Sequence, residues 1–152
     1  EGVAGEVTIT TLGVTGMPLV RFKTGDMVYH YDEPCRCGRN TVRVSSVVGR
    51  KRQMIKFKGT TLYPPALFDI LDNIPEVKNY VVEVGTSSIG TDDVLVHVGT
   101  LNPSERFEKE IKDIFRAKVR VAPSVIFHDP EEVARMLYPP MSRKPVKFID
   151  NR

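Results

Sequence analysis

The chain has 152 residues, 41% hydrophobic and 27% charged, with 22 basic against 19 acidic side chains and a net charge of +3. So mild a basic excess argues against a nucleic-acid polymer as partner, because proteins that bind one concentrate a strongly basic face. No apolar run approaches membrane-spanning length and no signal-peptide pattern opens the chain, so the expectation is a cytoplasmic protein with no membrane partner.

Residues 1–48 read as β. Glu6-Val7-Thr8-Ile9-Thr10 alternates polar with apolar, and Gly13 and Gly16 break the pattern. Leu19-Val20-Arg21-Phe22 is a second short strand, Lys23-Thr24-Gly25-Asp26 a turn, and Met27-Val28-Tyr29-His30-Tyr31 a third strand. Residues 32–40 form a loop holding both cysteines, Cys35 and Cys37, and Thr41-Val42-Arg43-Val44 is another strand. This is too little to bury a core alone. It reads as the end of a larger domain, and the start at Glu1, without a Met, leads to the expectation that an N-terminal part is missing.

The stretch Gly49-Arg50-Lys51-Arg52-Gln53-Met54-Ile55-Lys56-Phe57-Lys58-Gly59 joins this half to a differently patterned one. A Gly, basic residues, a short amphipathic run and a second Gly make residues 49–53 a hinge candidate. Residues 54–152 then read as a second, α+β domain. Residues 54–58 and 60–63 form a hairpin around Gly59. Pro64-Pro65 opens a helix with Leu67, Phe68 and Leu71 on its buried face. Residues 78–84 and 94–98 are strands flanking a polar turn at 86–91. Asn102 is expected to cap a helix with Pro103 in its first turn and Phe107, Ile111, Ile114 and Phe115 as its apolar stripe. A third strand lies within 119–127, and Asp129-Pro130-Glu131-Glu132 opens a short helix. The tail, residues 138–150, passes two prolines and a basic turn to a short β-like end. The fold class is α+β, a small lid-like domain of helices on one face of a mixed or antiparallel sheet, preceded by the β-rich remnant.

Four groups could carry chemistry, each with a plain structural alternative. Asp26, presented after a Gly, could accept hydrogen bonds from vicinal hydroxyls such as those of a ribose, or it is an ordinary turn residue. Lys144, on a Pro-stiffened loop, could bring a charge to phosphate or carboxylate oxygens, or simply face water. Arg52, Met54, Lys56 and Lys58 would share one strand face, a basic edge suited to phosphates or the usual lysine protection of an edge strand. His30, Cys35 and Cys37 could supply part of a zinc site, whose closed form needs four ligands, or be reduced thiols beside a surface histidine. The C-x-C spacing is poorly placed for a disulfide. His97 and His128 read as structural or surface residues.

Taken in order, Arg21-Phe22-Lys23-Thr24-Gly25-Asp26, the Gly49 to Gly59 stretch and the run from Pro139 to Lys144 resemble the late motifs of the adenylate-forming enzymes: acyl-CoA synthetases, peptide-synthetase adenylation domains and luciferases. Pro34-Cys35-Arg36-Cys37-Gly38-Arg39, Gly59-Thr60-Thr61-Leu62-Tyr63-Pro64 and Arg143-Lys144-Pro145-Val146-Lys147-Phe148-Ile149-Asp150 narrow the resemblance to the phenylacetate-CoA ligase branch. The resemblance implies that a carboxylic acid and ATP, with Mg2+, give an acyl-adenylate, which CoA then converts to a thioester while a small C-terminal domain rotates about a hinge. By position it implies nucleotide contacts for Asp26 and Arg50, a hinge at Arg52 or Gln53, an adenylation lysine at Lys144, and Lys56, Lys58, Gly59 and Thr60 facing the thioester step and CoA. The missing N-terminal domain would supply the phosphate loop and acid pocket, and a homodimer is a further expected partner state. Three departures stand out: Lys23 where the motif commonly has Arg, Arg52 where the hinge often has Asp or Lys, and Arg143 where Gly usually precedes the lysine. Two alternatives remain open at this level: a stand-alone α+β binding module without catalysis, and an adenylating enzyme that loads a carrier protein.

Overall fold

A computed structural model describes residues 3–88 and 90–152. Glu1 and Gly2, and Ile89 within the expected polar turn, lie outside the described residues. The chain divides into two compact units, Glu1–Met54 and Ile55–Arg152.

The first unit is antiparallel β throughout. Strands β1 (Ala4–Ile9), β2 (Phe22–Tyr31) and β3 (Arg43–Val44) are neighbours in that order, and β4 (Gly49–Arg50) also pairs with β2. A single 3-10 turn, Lys51–Gln53, follows. The turn expected at residues 23–26 is not a turn between strands: β2 runs through it. The register explains how. Glu6 faces Met27 and Thr8 faces Lys23, so Thr24, Gly25 and Asp26 stand opposite Val7 alone. This is a bulge, and Gly25 supplies its left-handed backbone at φ 80°. Bulge and turn share the same local signal, a Gly beside polar residues. Only the partner strand distinguishes them. Among the described residues of this unit Val28, 7% exposed, is the one buried large apolar side chain, while Leu12, Met17, Val20 and Phe22 are exposed.

The second unit is built on a mixed four-stranded sheet. Its strands are β7 (Asn79–Thr86), β8 (Asp92–Gly99), β9 (Ser124–His128) and β10 (Phe148–Asp150), ordered β10-β7-β8-β9. The β7–β8 pair is antiparallel, whereas β10 joins β7 and β9 joins β8 in parallel. A separate hairpin, β5 (Ile55–Phe57) and β6 (Thr60–Leu62), precedes helix α1 (Pro64–Asp72). Its two-residue loop, Lys58-Gly59, has φ of 47° and 79°. Positive φ at both central residues matches the right-handed twist of paired strands. Helices α2 (Glu105–Val119) and α3 (Pro130–Leu137) complete the unit.

Alternation along β7 and β8 sorts side chains to two faces. Tyr80, Val82 and Val84 pair with Val98, Val96 and Val94 and bury with Leu67, Ile70 and Leu71 of α1 and Phe107, Ile111 and Phe115 of α2. Val81 points the other way and packs with Val133 and Leu137 of α3. The helices therefore cover both faces, not one as the order of elements suggested. Helix α3 follows a parallel crossover strand, and its Val133/Leu137 stripe needed its own apolar surface. A second correction concerns the α2 cap. Ser104, not Asn102, is the N-cap, its hydroxyl accepting from the Phe107 N–H at 3.2 Å. Pro103 lies before the helix rather than in its first turn. The helix also runs on to Val119, so the third strand starts only at Ser124.

Candidate functional site

The β2 bulge positions Asp26. The Thr24 hydroxyl accepts from the Asp26 N–H at 3.1 Å and donates to the Val7 carbonyl at 3.3 Å, which fixes the backbone around Gly25. Asp26 is the register partner of Arg50, and the two charged groups meet at 3.5 Å. The Asp26 carboxylate is 32% exposed, so it keeps acceptor capacity beyond that pair. Next to it opens a cleft of about 610 Å³ lined by Glu6, Lys23, Thr24, Gly25, Arg50, Lys51 and Arg52. Four basic side chains and one acid line it, so its local charge is positive. The acid is already committed: Lys51 donates to Glu6 at 2.8 Å, and that bond holds the Glu6 carboxyl below its ordinary pKa.

The residues expected along one basic strand face do not share it. Arg52 and Gln53 sit in the 3-10 turn, and β5 begins only at Ile55. Lys56 is the exposed middle residue of β5, and Lys58 and Gly59 form the hairpin turn. The Lys56 N–H donates to Asp92 at 2.6 Å, and Arg152 also grips Asp92, at 3.0 Å. Lys58 reaches the Ala122 carbonyl at 3.4 Å with its ammonium 4.7 Å from the Phe57 ring centre. Thr60 is half-buried opposite Phe57.

Lys144 lies on an exposed loop between α3 and β10. The Val146 N–H donates to the Leu137 carbonyl at 2.7 Å and closes the base of that loop. Within it, Ser142 N–H donates to Pro139 at 2.8 Å, and the Ser142 hydroxyl donates to the Lys144 carbonyl at 2.6 Å. The prolines and Ser142 thus shape the backbone while the Lys144 side chain faces solvent.

His30 is not gathered with the cysteines. It pairs with Asp32 at 3.3 Å, whereas Cys37 donates to Cys35 at 3.0 Å. That thiol–thiol bond, with further help from the Cys37 backbone and Arg43, holds Cys35 below its ordinary pKa. Among the described residues no group of three or more His, Cys, Asp or Glu could hold a metal ion.

Three side-chain networks escaped the sequence. His97 and His128 meet at 3.0 Å, each also facing a carboxylate: Glu83 at 3.0 Å and Glu132 at 3.5 Å. Asp150 binds Arg152, which lowers the Asp150 pKa and ties the end of β10 to Asp92. Lys147 donates to both Tyr80 and Asp72. Each is closed by a long-range link, His97 to His128 over 31 residues, Arg152 to Asp92 over 60 and Lys147 to Asp72 over 75, beyond the reach of any local motif.

No protein-family model matches the chain. It is 40% identical over 77 residues to the phenylacetate-coenzyme A ligase of Thermus thermophilus, an alignment covering 51% of this chain and 17% of that protein. It is 24% identical over 147 residues to the phenylacetate-coenzyme A ligase of Aromatoleum evansii, covering 90% of this chain and 32% of that one. The chain thus spans about a third or less of the curated relatives it matches. The fold is shared with 2-hydroxyisobutyryl-CoA ligase in its postadenylation state in complex with 2-HIB-AMP, at a TM-score of 0.74, 22% identity, and coverage of 99% of this chain and 33% of that one. The same ligase with 2-HIB-AMP and CoA in the thioesterification state matches at a TM-score of 0.54 and 22% identity, covering 99% of this chain and 32% of that one.

Proposed function

We propose that this chain, whose curated relatives and shared fold support the adenylate-forming superfamily and its phenylacetate-CoA ligase family, is the C-terminal part of an AMP-forming acyl-CoA ligase. The full reaction joins a carboxylic acid to ATP, releases pyrophosphate, and passes the acyl group from AMP to the CoA thiol. The single observation that carries this reading is the Gly25 bulge. It sets a carboxylate, Asp26, against Arg50, whose side chain lines a cleft together with Lys23, Lys51 and Arg52. A ribose needs an acceptor for two adjacent hydroxyls, and its phosphates need cations close by.

In this reading Asp26 accepts from the ribose hydroxyls, and Arg50 orients that carboxylate from the adjacent strand. Lys144 stabilises the charge that gathers on the phosphoryl oxygens as the acid attacks. Arg52 and Gln53, in the single 3-10 turn before Ile55, form the pivot. Lys56, on a separate β-hairpin, serves the thioester step, with Lys58, Gly59 and Thr60 along the path of CoA. A group delivered in only one arrangement of the lid accelerates only the step of that arrangement. Magnesium would arrive with the ATP phosphates, and no residue described here is assigned to it.

The test is ATP–pyrophosphate exchange by the intact protein with a panel of aryl and short aliphatic acids, wild type against Lys144→Ala. The expected loss is about 10²-fold or more, the usual cost of removing one transition-state charge partner. Conversion of preformed acyl-adenylate to thioester by free CoA should survive that substitution and fall with Lys56→Ala. Exchange unchanged by Lys144→Ala overturns the role of Lys144. Acyl transfer to a carrier protein but not to CoA would move the enzyme to the carrier-loading class.

A further inference from the structure

We propose that Lys147 is a positioning residue for Lys144: it anchors the end of the lysine loop to α1 and β7 and so sets where the Lys144 ammonium can reach. The inference rests on the role given to Lys144 above.

Lys147 stands where the loop rejoins the sheet. Its carbonyl accepts from the Val82 N–H at 2.9 Å, one residue before β10 begins. Its side chain crosses to two other elements. The ammonium donates to the Tyr80 hydroxyl at 2.9 Å and to Asp72 at 3.2 Å. It also lies 4.6 Å from the Tyr80 ring centre and 5.8 Å from that of Phe68, within range of both ring faces. Tyr80 in turn donates to Asp72 at 2.8 Å, which closes a triangle of phenol, carboxylate and ammonium.

The roles in that triangle are fixed. Burial first, then the Asp72 carboxylate, pushes the Tyr80 hydroxyl far above the ordinary phenol range. Tyr80 therefore stays protonated, donates to Asp72, and accepts from Lys147. The ring is 3% exposed and belongs to the main core, so the anchor point is rigid. An ordinary exposed ion pair would hold little. This one shares a single ammonium among a carboxylate, a phenol and two ring faces.

The two lysines divide the labour. Lys147 is neutralised by Asp72. The Lys144 side chain has no such partner among the described residues. Lys144 stands three positions before Lys147, so an extended chain places it within about 10 Å of the anchor. Releasing the Lys147 side chain leaves that end of the loop held by backbone bonds alone, and misplacement of a reacting group by about 1 Å can cost ~10²-fold.

The experiment compares wild type, Lys147→Met, Lys147→Arg, Tyr80→Phe and Lys144→Ala in the intact protein, using the panel acid that gives the fastest exchange. Lys147→Met keeps the apolar stem over the rings and removes the charge. Expected for Lys147→Met is a fall of about 10- to 100-fold in kcat for ATP–pyrophosphate exchange. KM for ATP and the thioester step from preformed acyl-adenylate should be unchanged, with faster amide exchange across residues 142–147. Lys147→Arg should recover most of the rate, and Tyr80→Phe should show a smaller loss of the same kind. Full exchange activity in Lys147→Met, beside a crippled Lys144→Ala, overturns the proposal and leaves the functional reading intact. Equal losses in both half-reactions also overturn it, since that marks general destabilisation. If Lys144→Ala is itself fully active, the functional reading fails and the positioning role fails with it.

Discussion

Asp26 owes its place to its neighbour. Gly25 adopts φ 80°, a backbone that costs a residue with a Cβ about 1–2 kcal/mol. Gly25→Ala should therefore lose about that much stability in urea denaturation and weaken AMP binding in isothermal titration of the intact protein. Asp26→Asn should weaken AMP with little change in stability. Asp150 offers a pH test. Its hydrogen bond from Arg152 depresses its pKa in the fold, so its contribution to stability is present above the unfolded carboxylate value, near 3.9. That contribution is lost as pH falls from there through the folded value. Acid titration of wild type against Asp150→Asn should show the β10 end of wild type loosening below about pH 4, and no such step in the variant. At this scale the contiguous motifs were legible, because Asp26, Arg50 and Lys144 sit in runs with their own spacing. Their supports were not. Asp72 and Lys147 are 75 residues apart, and nothing around either one advertises the other.

At the scale of elements, apolar spacing found α1, α2, β7 and β8, while capping and dipole logic found the start of α3. Burial follows the pattern: Val94, Val96 and Val98 are inside, and Leu95 and His97 are only half-buried. Two features needed partners to be read. The Thr24-Gly25-Asp26 signal became a bulge because β1 lay across from it, and α3 went to the far face because Val81 offered it apolar contact. The α2 cap is the sharpest local miss, since Asn102 and Ser104 are both good capping residues and only backbone geometry chose between them. Ser104→Ala should cost about 1 kcal/mol in equilibrium unfolding, whereas Asn102→Ala should stay within about 0.5. Phe115, fully buried in the α2 stripe, should cost about 3–5 kcal/mol when replaced by Ala.

For the whole molecule, the two units differ in what they bury. Ile55–Arg152 has a continuous core from hairpin, helices and sheet, while among its described residues the first unit buries one large apolar side chain, Val28, and leaves several exposed. Residues 55–152 expressed alone should unfold in one cooperative urea transition followed by circular dichroism. Residues 3–54 alone should show none, because so few strands with so little covered apolar surface cannot offset chain entropy. The hydrogen bond from Val146 to Leu137 bears on this same scale. It pinches residues 138–145 into a short tether with both ends nailed to the sheet and α3. An ammonium on so short a leash cannot go looking for a distant phosphate by itself. In the role proposed for Lys144, any long journey is therefore taken as a passenger, on the body of ninety-odd residues that carries it.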